Sequence, residues 1–246
     1  MGPEVVTGAR RSNDVGVSES GPEVTTPAFS MNAEERARTS RGISNSSVYE
    51  MVVRALQRRR ITGESLIDVG CGAGNLYPYV TSRFERYIGV DAVQYEGFPA
   101  SAEFCALDLD NDRIPLPDAS ANVVSAVEVI EHLENPRAFM RKLVRLAKPG
   151  GWIIVTTPNQ LSLSSLATLV VKHRFQAFQD VHYPAHLTAL LEIDLRRIAS
   201  ESLLSEIAIE YSTVSRIPFT PRHFPGLLSR RFVRALSDNV LLIARK

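Results

Sequence analysis

Three aspartates and a run of glycines are the first residues whose types and spacing suggest chemistry. Asp68, Asp91 and Asp108 each close a short apolar run: SLIDVG at 65–70, YIGVD at 87–91 and AEFCALD at 102–108. Gly70, Gly72 and Gly74 follow the first at alternate positions. Such a loop permits positive φ and a close approach of backbone to ligand. The order is G-x-G-x-G with Asn75 at the sixth position, so the dinucleotide fingerprint G-x-G-x-x-G fails. No Gly-Lys-Ser/Thr follows, so the phosphate-loop pattern fails too. An acid just before the loop repels a pyrophosphate and suits a ligand with an ammonium or sulfonium group. Asp91 stands 17 residues after Gly74 (91 − 74), where a carboxylate can accept from both ribose hydroxyls. Asp108 with apolar Leu109 suits an adenine, the acid for the exocyclic amine and Leu109 for the ring face. A single strand-end aspartate is often only a turn former. Three on successive strands point to a site.

A second group of residues could handle protons. The five histidines are His132, His173, His182, His186 and His223. His132 lies in EVIEH just past the fourth apolar run, and imidazole is suited to take a proton from a hydroxyl. His132, His186 and the adjacent acid Glu131 are the candidate catalytic residues, with His182 as an alternative base. His173 and His223 read as surface residues beside arginines. Glu128, Glu131 and His132 have i, i+3, i+4 spacing and would share one face of a helical turn. With His182 or His186 they could hold a divalent ion, although a metal is not the favoured reading. Arg222, Arg230, Arg231 and Arg234 form a late basic patch, either a solvated face or a receiver for an acidic acceptor such as a glycan or lipid-linked intermediate.

These residues need a scaffold that brings strand ends together. Apolar runs at 65–70, 87–91, 102–108, 121–130 and 152–158 alternate with helical patterns at 75–83 and 136–147. Short connections between them predict a doubly wound, Rossmann-like, mostly parallel α/β sheet. Strands at 206–214 and 239–246, with a helix between, predict an antiparallel pair at the sheet edge and seven strands in all. A helix is expected from Ser/Asn at 45–47, a turn at KPGG (148–151), and helices within 161–173 and 188–202. Residues 1–40, rich in Gly, Pro, Ser, Thr and Glu, read as a disordered tail. Residues 41–246 read as one domain, with an acceptor-covering insert at about 159–187.

Net charge is +1 over 246 residues, so no global field steers the chain to nucleic acid. Two cysteines, Cys71 and Cys105, suggest no disulfide framework. With no signal pattern and no apolar run of membrane length, the expected location is cytoplasmic.

Over roughly residues 45–160 the chain resembles the class I S-adenosylmethionine-dependent methyltransferases. LIDVGCGAGNL looks like the first motif of that family and YIGVDAV like the second. ALDLDNDRIPLPDASANVVSAVEVIEHLENP resembles the third and fourth, and LAKPGGWIIVTTPN the segment after them. EVIEHLENP with KPGGWIIVTTPN is most similar to the ubiquinone-biosynthesis O-methyltransferase type. The resemblance implies S-adenosyl-L-methionine as cofactor and S-adenosyl-L-homocysteine as product. It implies that Gly70, Cys71, Gly72 and Gly74 border the methionyl part, that Asp91 and Ala92 take the ribose, and that Asp108 and Leu109 flank the adenine. Glu128 would lie beside the methionyl moiety. The expected reaction is methyl transfer to a small-molecule acceptor, most simply a hydroxyl oxygen. Glu-x-x-Glu-His also resembles the metal site of small-RNA 2′-O-methyltransferases, so metal-assisted RNA methylation through Glu128, Glu131 and His132 is one alternative. A non-catalytic S-adenosylmethionine-binding partner protein is another.

Overall fold

Seven segments become the strands of one sheet, and the five inner ones bury side chains on both of its faces. The structure, a computed structural model, describes residues 33–40, 42 and 44–246. The strands are β1 (Gly63–Val69), β2 (Phe84–Asp91), β3 (Glu103–Ala106), β4 (Ala121–Val127), β5 (Ala147–Pro158), β6 (Ser205–Tyr211) and β7 (Asn239–Arg245). Their order is β3-β2-β1-β4-β5-β7-β6. The first five pair in parallel. β7 runs antiparallel to both β5 and β6. The expected Rossmann-like sheet with an antiparallel C-terminal pair is therefore the observed one.

The helices are α1 (Ala33–Ser40), α2 (Ser46–Arg58), α3 (Tyr77–Val80), α4 (Pro136–Leu146), α5 (Leu163–Lys172), α6 (Glu192–Glu201) and α7 (Gly226–Arg231). The expected tail lies outside the described residues over 1–32, while residues 33–40 are helical. Asn45 caps α2 by accepting from the Ser47 amide, and Asn135 caps α4 by accepting from Ala138. One segment and one residue differ from expectation in backbone state. KPGG is not an isolated turn but part of β5, because Gly150 N donates to Lys246 O and Lys246 N to Gly151 O, extending the pairing to the last residue. Glu128 does not continue a strand or open a helical turn; it adopts a left-handed φ of 56°.

Alternation along each strand divides the core. Ile67, Val69, Val124, Ala126, Ile153 and Val155 face α4 and α6, with Phe139, Leu143 and Leu195 against them. Leu66, Val123, Val127, Ile154, Leu241 and Ile243 face α2, with Met51, Val52 and Leu56. Both faces are covered, as a parallel sheet requires. The order reverses between β2-β1 and β4, which puts the switch point at the carboxyl ends of β1, β2 and β4.

Phe139 is 2 % exposed at the centre of the first core layer. Phe139→Ala should lower unfolding stability by about 3–5 kcal/mol, read as a shift in urea midpoint with an unchanged slope. A loss below about 1 kcal/mol would mean that α4 does not pack as described.

Candidate active site

The loop after β1 is folded on the chain itself. Gly70, Gly72 and Gly74 have φ of 76°, 53° and 76°. A Cβ on Gly70 would stand 2.3 Å from Val129 Cγ2, and one on Gly72 would stand 2.1 Å from the Gly42 carbonyl oxygen. Pro99 crowds Gly74 at 2.5 Å. Protein atoms thus fill the space next to all three. Only Gly70 lines the adjoining cleft, together with Cys71. Gly42 seals the loop from outside, its carbonyl accepting from Asn75 Nδ2 at 3.2 Å.

The cleft, about 770 Å³, opens at the switch point. Asp68, Asp91, Ala92, Asp108, Leu109, Glu128, Glu131, His132, His182 and His186 all line it. Asp68, 2 % exposed, accepts from Tyr87 Oη at 2.5 Å and from Ser125 Oγ at 2.7 Å. Burial pushes its carboxyl up to about 6, against the pull of those two donors. Asp91 accepts from the amides of Gly72 (2.8 Å) and Ala92 (2.7 Å), and burial raises it as well. The Val93 amide bonds the same carboxylate, which still leaves accepting capacity for a ligand hydroxyl. Asp108 is turned on its own loop, accepting from Asp110 N and Asn111 Nδ2, both at 2.9 Å. The turn-forming role is therefore real for Asp108, even at the cleft wall. Burial pushes the Cys71 thiol up, so it stays protonated.

The proton-handling group divides differently from its spacing. Glu128 is anchored at the end of β4: Thr156 Oγ1 accepts from its amide (2.9 Å) and donates to Oε1 (2.8 Å), while Asn239 Nδ2 donates to Oε2 (2.8 Å). These three bonds hold its left-handed backbone. A short 3₁₀ turn at Ile130–His132 follows. Glu131 and His132 then meet His186, and one ligand atom from each of the three lies within 4.8 Å of the others. The His132 and His186 rings are edge to face at 4.7 Å. His132 Nδ1 is 2.7 Å from Ala185 O, and His186 Nδ1 is 2.6 Å from Ala177 O. A carbonyl can only accept, so each Nδ1 carries a hydrogen, and in the neutral ring the lone pair then lies on Nε2. Burial lowers His186 to about 4 and keeps it neutral. Glu131 is 1 % exposed, and its Oε2 has no hydrogen-bond partner among the described residues. Burial raises its carboxyl. This trio is the set that could hold a divalent ion, and Glu128, expected with it, is engaged elsewhere.

A family model described as a methyltransferase domain matches residues 43–201. The chain belongs to this methyltransferase family. Its class is that of the class I S-adenosylmethionine-dependent enzymes, as the relatives also indicate. A protein of Mycolicibacterium smegmatis named "Probable S-adenosylmethionine-dependent methyltransferase" is 32% identical over 119 residues, 47% of this chain and 46% of the relative. Ubiquinone biosynthesis O-methyltransferase of Idiomarina loihiensis is 27% identical over 158 residues, 60% of this chain and 64% of the relative. The chain thus spans about half to two thirds of the length of these curated relatives. Among solved structures, a SAM-dependent methyltransferase from Archaeoglobus fulgidus superposes with a TM-score of 0.56 at 19% identity, covering 80% of this chain and 94% of the other. That likeness is one of fold.

Within the methyltransferase cleft, several wall residues were not anticipated. Ala37 of α1, Gly42, Ser44 and Tyr49 close the end beside the glycine loop. Tyr95 Oη, donating to Ala37 O at 2.5 Å, ties α1 to the loop after β2. Gln160, Ser165, Gln176 and Gln179 line the other end. Only the Ser/Asn start of α2 hinted at the former group.

Asp68 yields a signed pH effect. Its folded pKa, about 6, exceeds the ordinary 3.8, so the folded state binds the proton more tightly. Its contribution to stability is complete below about pH 4 and is lost as pH rises through about 6. Asp68→Asn should remove this slope. Relative to the unmodified protein it should gain roughly 3 kcal/mol between pH 4 and pH 7, measured by urea melts. Parallel pH curves for the two proteins would overturn the assignment.

Proposed function

We propose that this protein transfers the methyl group of S-adenosylmethionine to a hydroxyl oxygen of a small-molecule acceptor. The observation that carries this reading is one cleft lined by two chemically distinct groups. One is Asp68, Asp91 and the Gly70–Cys71 backbone; the other is Glu131, His132 and His186. Asp91 would accept from the ribose hydroxyls through its remaining lone pairs. Asp68, buried without a cationic side chain bonded to it, would favour the positively charged methionyl end. Leu109, 8 % exposed, offers an apolar wall for the adenine.

Transfer is an in-line displacement. The acceptor oxygen forms a bond to the methyl carbon as the carbon–sulfur bond breaks, and the electron pair stays on sulfur to give S-adenosylhomocysteine. Holding the two in line is the main contribution of the cleft. The acceptor proton goes to His132 Nε2, whose tautomer is fixed by the Ala185 carbonyl. Glu131 alongside would stabilise the imidazolium that forms.

Calorimetric titration with S-adenosylhomocysteine, with NAD as control, tests the cofactor. Saturable binding of the first alone is expected. Asp91→Ala should weaken it by about 10- to 100-fold. An unchanged affinity would show that the ribose lies elsewhere. His132→Ala should cut methyl transfer from labelled cofactor at least 100-fold while cofactor affinity holds.

The same trio supports a second reading, in which a divalent cation would acidify the acceptor hydroxyl and its proton would pass to solvent water. Two imidazoles whose Nδ1 atoms are tied to carbonyls, each able in its neutral form to offer Nε2, and one orphan buried carboxylate oxygen form a donor set. A bound cation would lower the pKa of the acceptor hydroxyl. Mn²⁺ titration followed by electron paramagnetic resonance should then show one bound ion, lost in Glu131→Gln. Absence of bound Mn²⁺ in the folded protein returns the proton to His132.

A further inference from the structure

The surface around the cleft mouth is unlike the rest of the molecule. Of thirteen large apolar side chains exposed among the described residues, eleven lie in 163–187 or 219–232. Val170, Val171, Val181 and Leu227 are 76%, 64%, 82% and 86% exposed. The charge is equally uneven. Residues 216–237 hold five arginines and no acid; residues 161–187 hold Lys172 and Arg174 against Asp180. The two stretches therefore carry +6 (7 − 1) in a chain of net +1. Arg222, Arg230 and Arg231 form no ion pair with a carboxylate among the described residues.

The two stretches are joined in space. Leu163 N donates to Ala235 O at 2.7 Å, and Asn159 Nδ2 to Arg234 O at 2.8 Å. Val181, Arg216 and His223, one from the first stretch and two from the second, line the cleft. The apolar and basic residues therefore lie on the segments that frame its mouth.

We propose that this surface is a membrane-docking face. The valines and leucines enter the headgroup region of an anionic bilayer, and the arginines lie against lipid phosphates. A surface of exposed apolar residues among unpaired arginines fits such an interface better than water. A nucleic acid would use the arginines but leave the valines in solvent. No helix among the described residues is long and apolar enough to cross a membrane, and peripheral docking requires none. Together with the proposed methyl transfer, on which this clause alone rests, docking would make the acceptor an amphiphile whose hydroxyl-bearing head enters the cleft from the bilayer.

Co-sedimentation of the full chain with vesicles tests the idea, using pure phosphatidylcholine and phosphatidylcholine with 30% phosphatidylglycerol, about the composition at which surface charge is substantial. Binding to the second, weak on the first and reduced by salt, is expected. Arg230→Glu with Arg231→Glu should weaken partitioning at least roughly twentyfold. Val170→Asp with Leu227→Asp should weaken it comparably. Each variant should keep its S-adenosylhomocysteine affinity, which shows that it is folded. No binding to anionic vesicles overturns the proposal, as does binding that the valine–leucine variant leaves unchanged, the result expected of a purely ionic site. Vesicle binding without cofactor binding would leave docking standing and defeat the proposed function. Cofactor binding without vesicle binding would do the reverse.

Discussion

Buried carboxyls at the carboxyl ends of the strands are the constraint on which the site depends. Asp68, Asp91, Glu128 and Glu131 all have pKa values raised by burial, and none is in an ion pair among the described residues. Hydrogen bonds from Tyr87, Ser125, Thr156, Asn239 and two loop amides offset the lost solvation only in part. An arrangement of this kind is destabilising to an empty fold, and the two core layers must outweigh it. A cationic ligand would relieve it. S-adenosylmethionine carries an ammonium and a sulfonium, so binding beside these acids would bring charge relief with it. The destabilising acids and the affinity for a cationic cofactor have a common cause.

The cleft and its rim have opposite electrostatic character. Acids dominate the interior near the sheet, while the segments at the mouth carry the arginines. A net charge of +1 is the sum of these opposed regions and describes neither. The separation follows chain order. Acids terminate the early strands, and the basic residues lie in the later connections, α5 and α7 among them, that cross over the strand ends.

Much of the scaffold was legible because each element has a local signature. Apolar runs ended by aspartates located β1 and β2 and the register of the site along them. Asn45 and Asn135 marked helix starts that the structure uses. The KPGG segment was misread because glycine and proline punctuate chains locally, whereas its pairing partner is the last residue, almost 100 positions away. The Glu128–Glu131–His132 spacing suggested one face. That reading assumed a helical turn, and nothing local announces the left-handed φ of Glu128 or its ties to Thr156 and Asn239. His186 joins the trio only through folding, since its ring is placed by the carbonyl of Ala177. α1, inside a stretch of tail-like composition, is tied at the cleft by a hydrogen bond from the Tyr95 hydroxyl to the Ala37 carbonyl, which composition cannot register.

The glycine loop changes how such a motif is best read. Its spacing points to a ligand, yet the atoms that exclude a Cβ belong to Val129, Gly42 and Pro99. The glycines let three separate segments close on the end of β1, and the ligand-facing wall is what remains, Gly70 and Cys71. The loop specifies the site by folding other chain segments around it. Gly42 is part of that closure, so this residue ahead of α2 lines the cleft beside the glycine loop although no motif marks it. The same holds beside the histidines, where the Ala177 and Ala185 carbonyls set the histidine tautomers. In both places backbone atoms of unremarkable residues orient the groups that line the cleft, and side-chain types alone cannot reveal them.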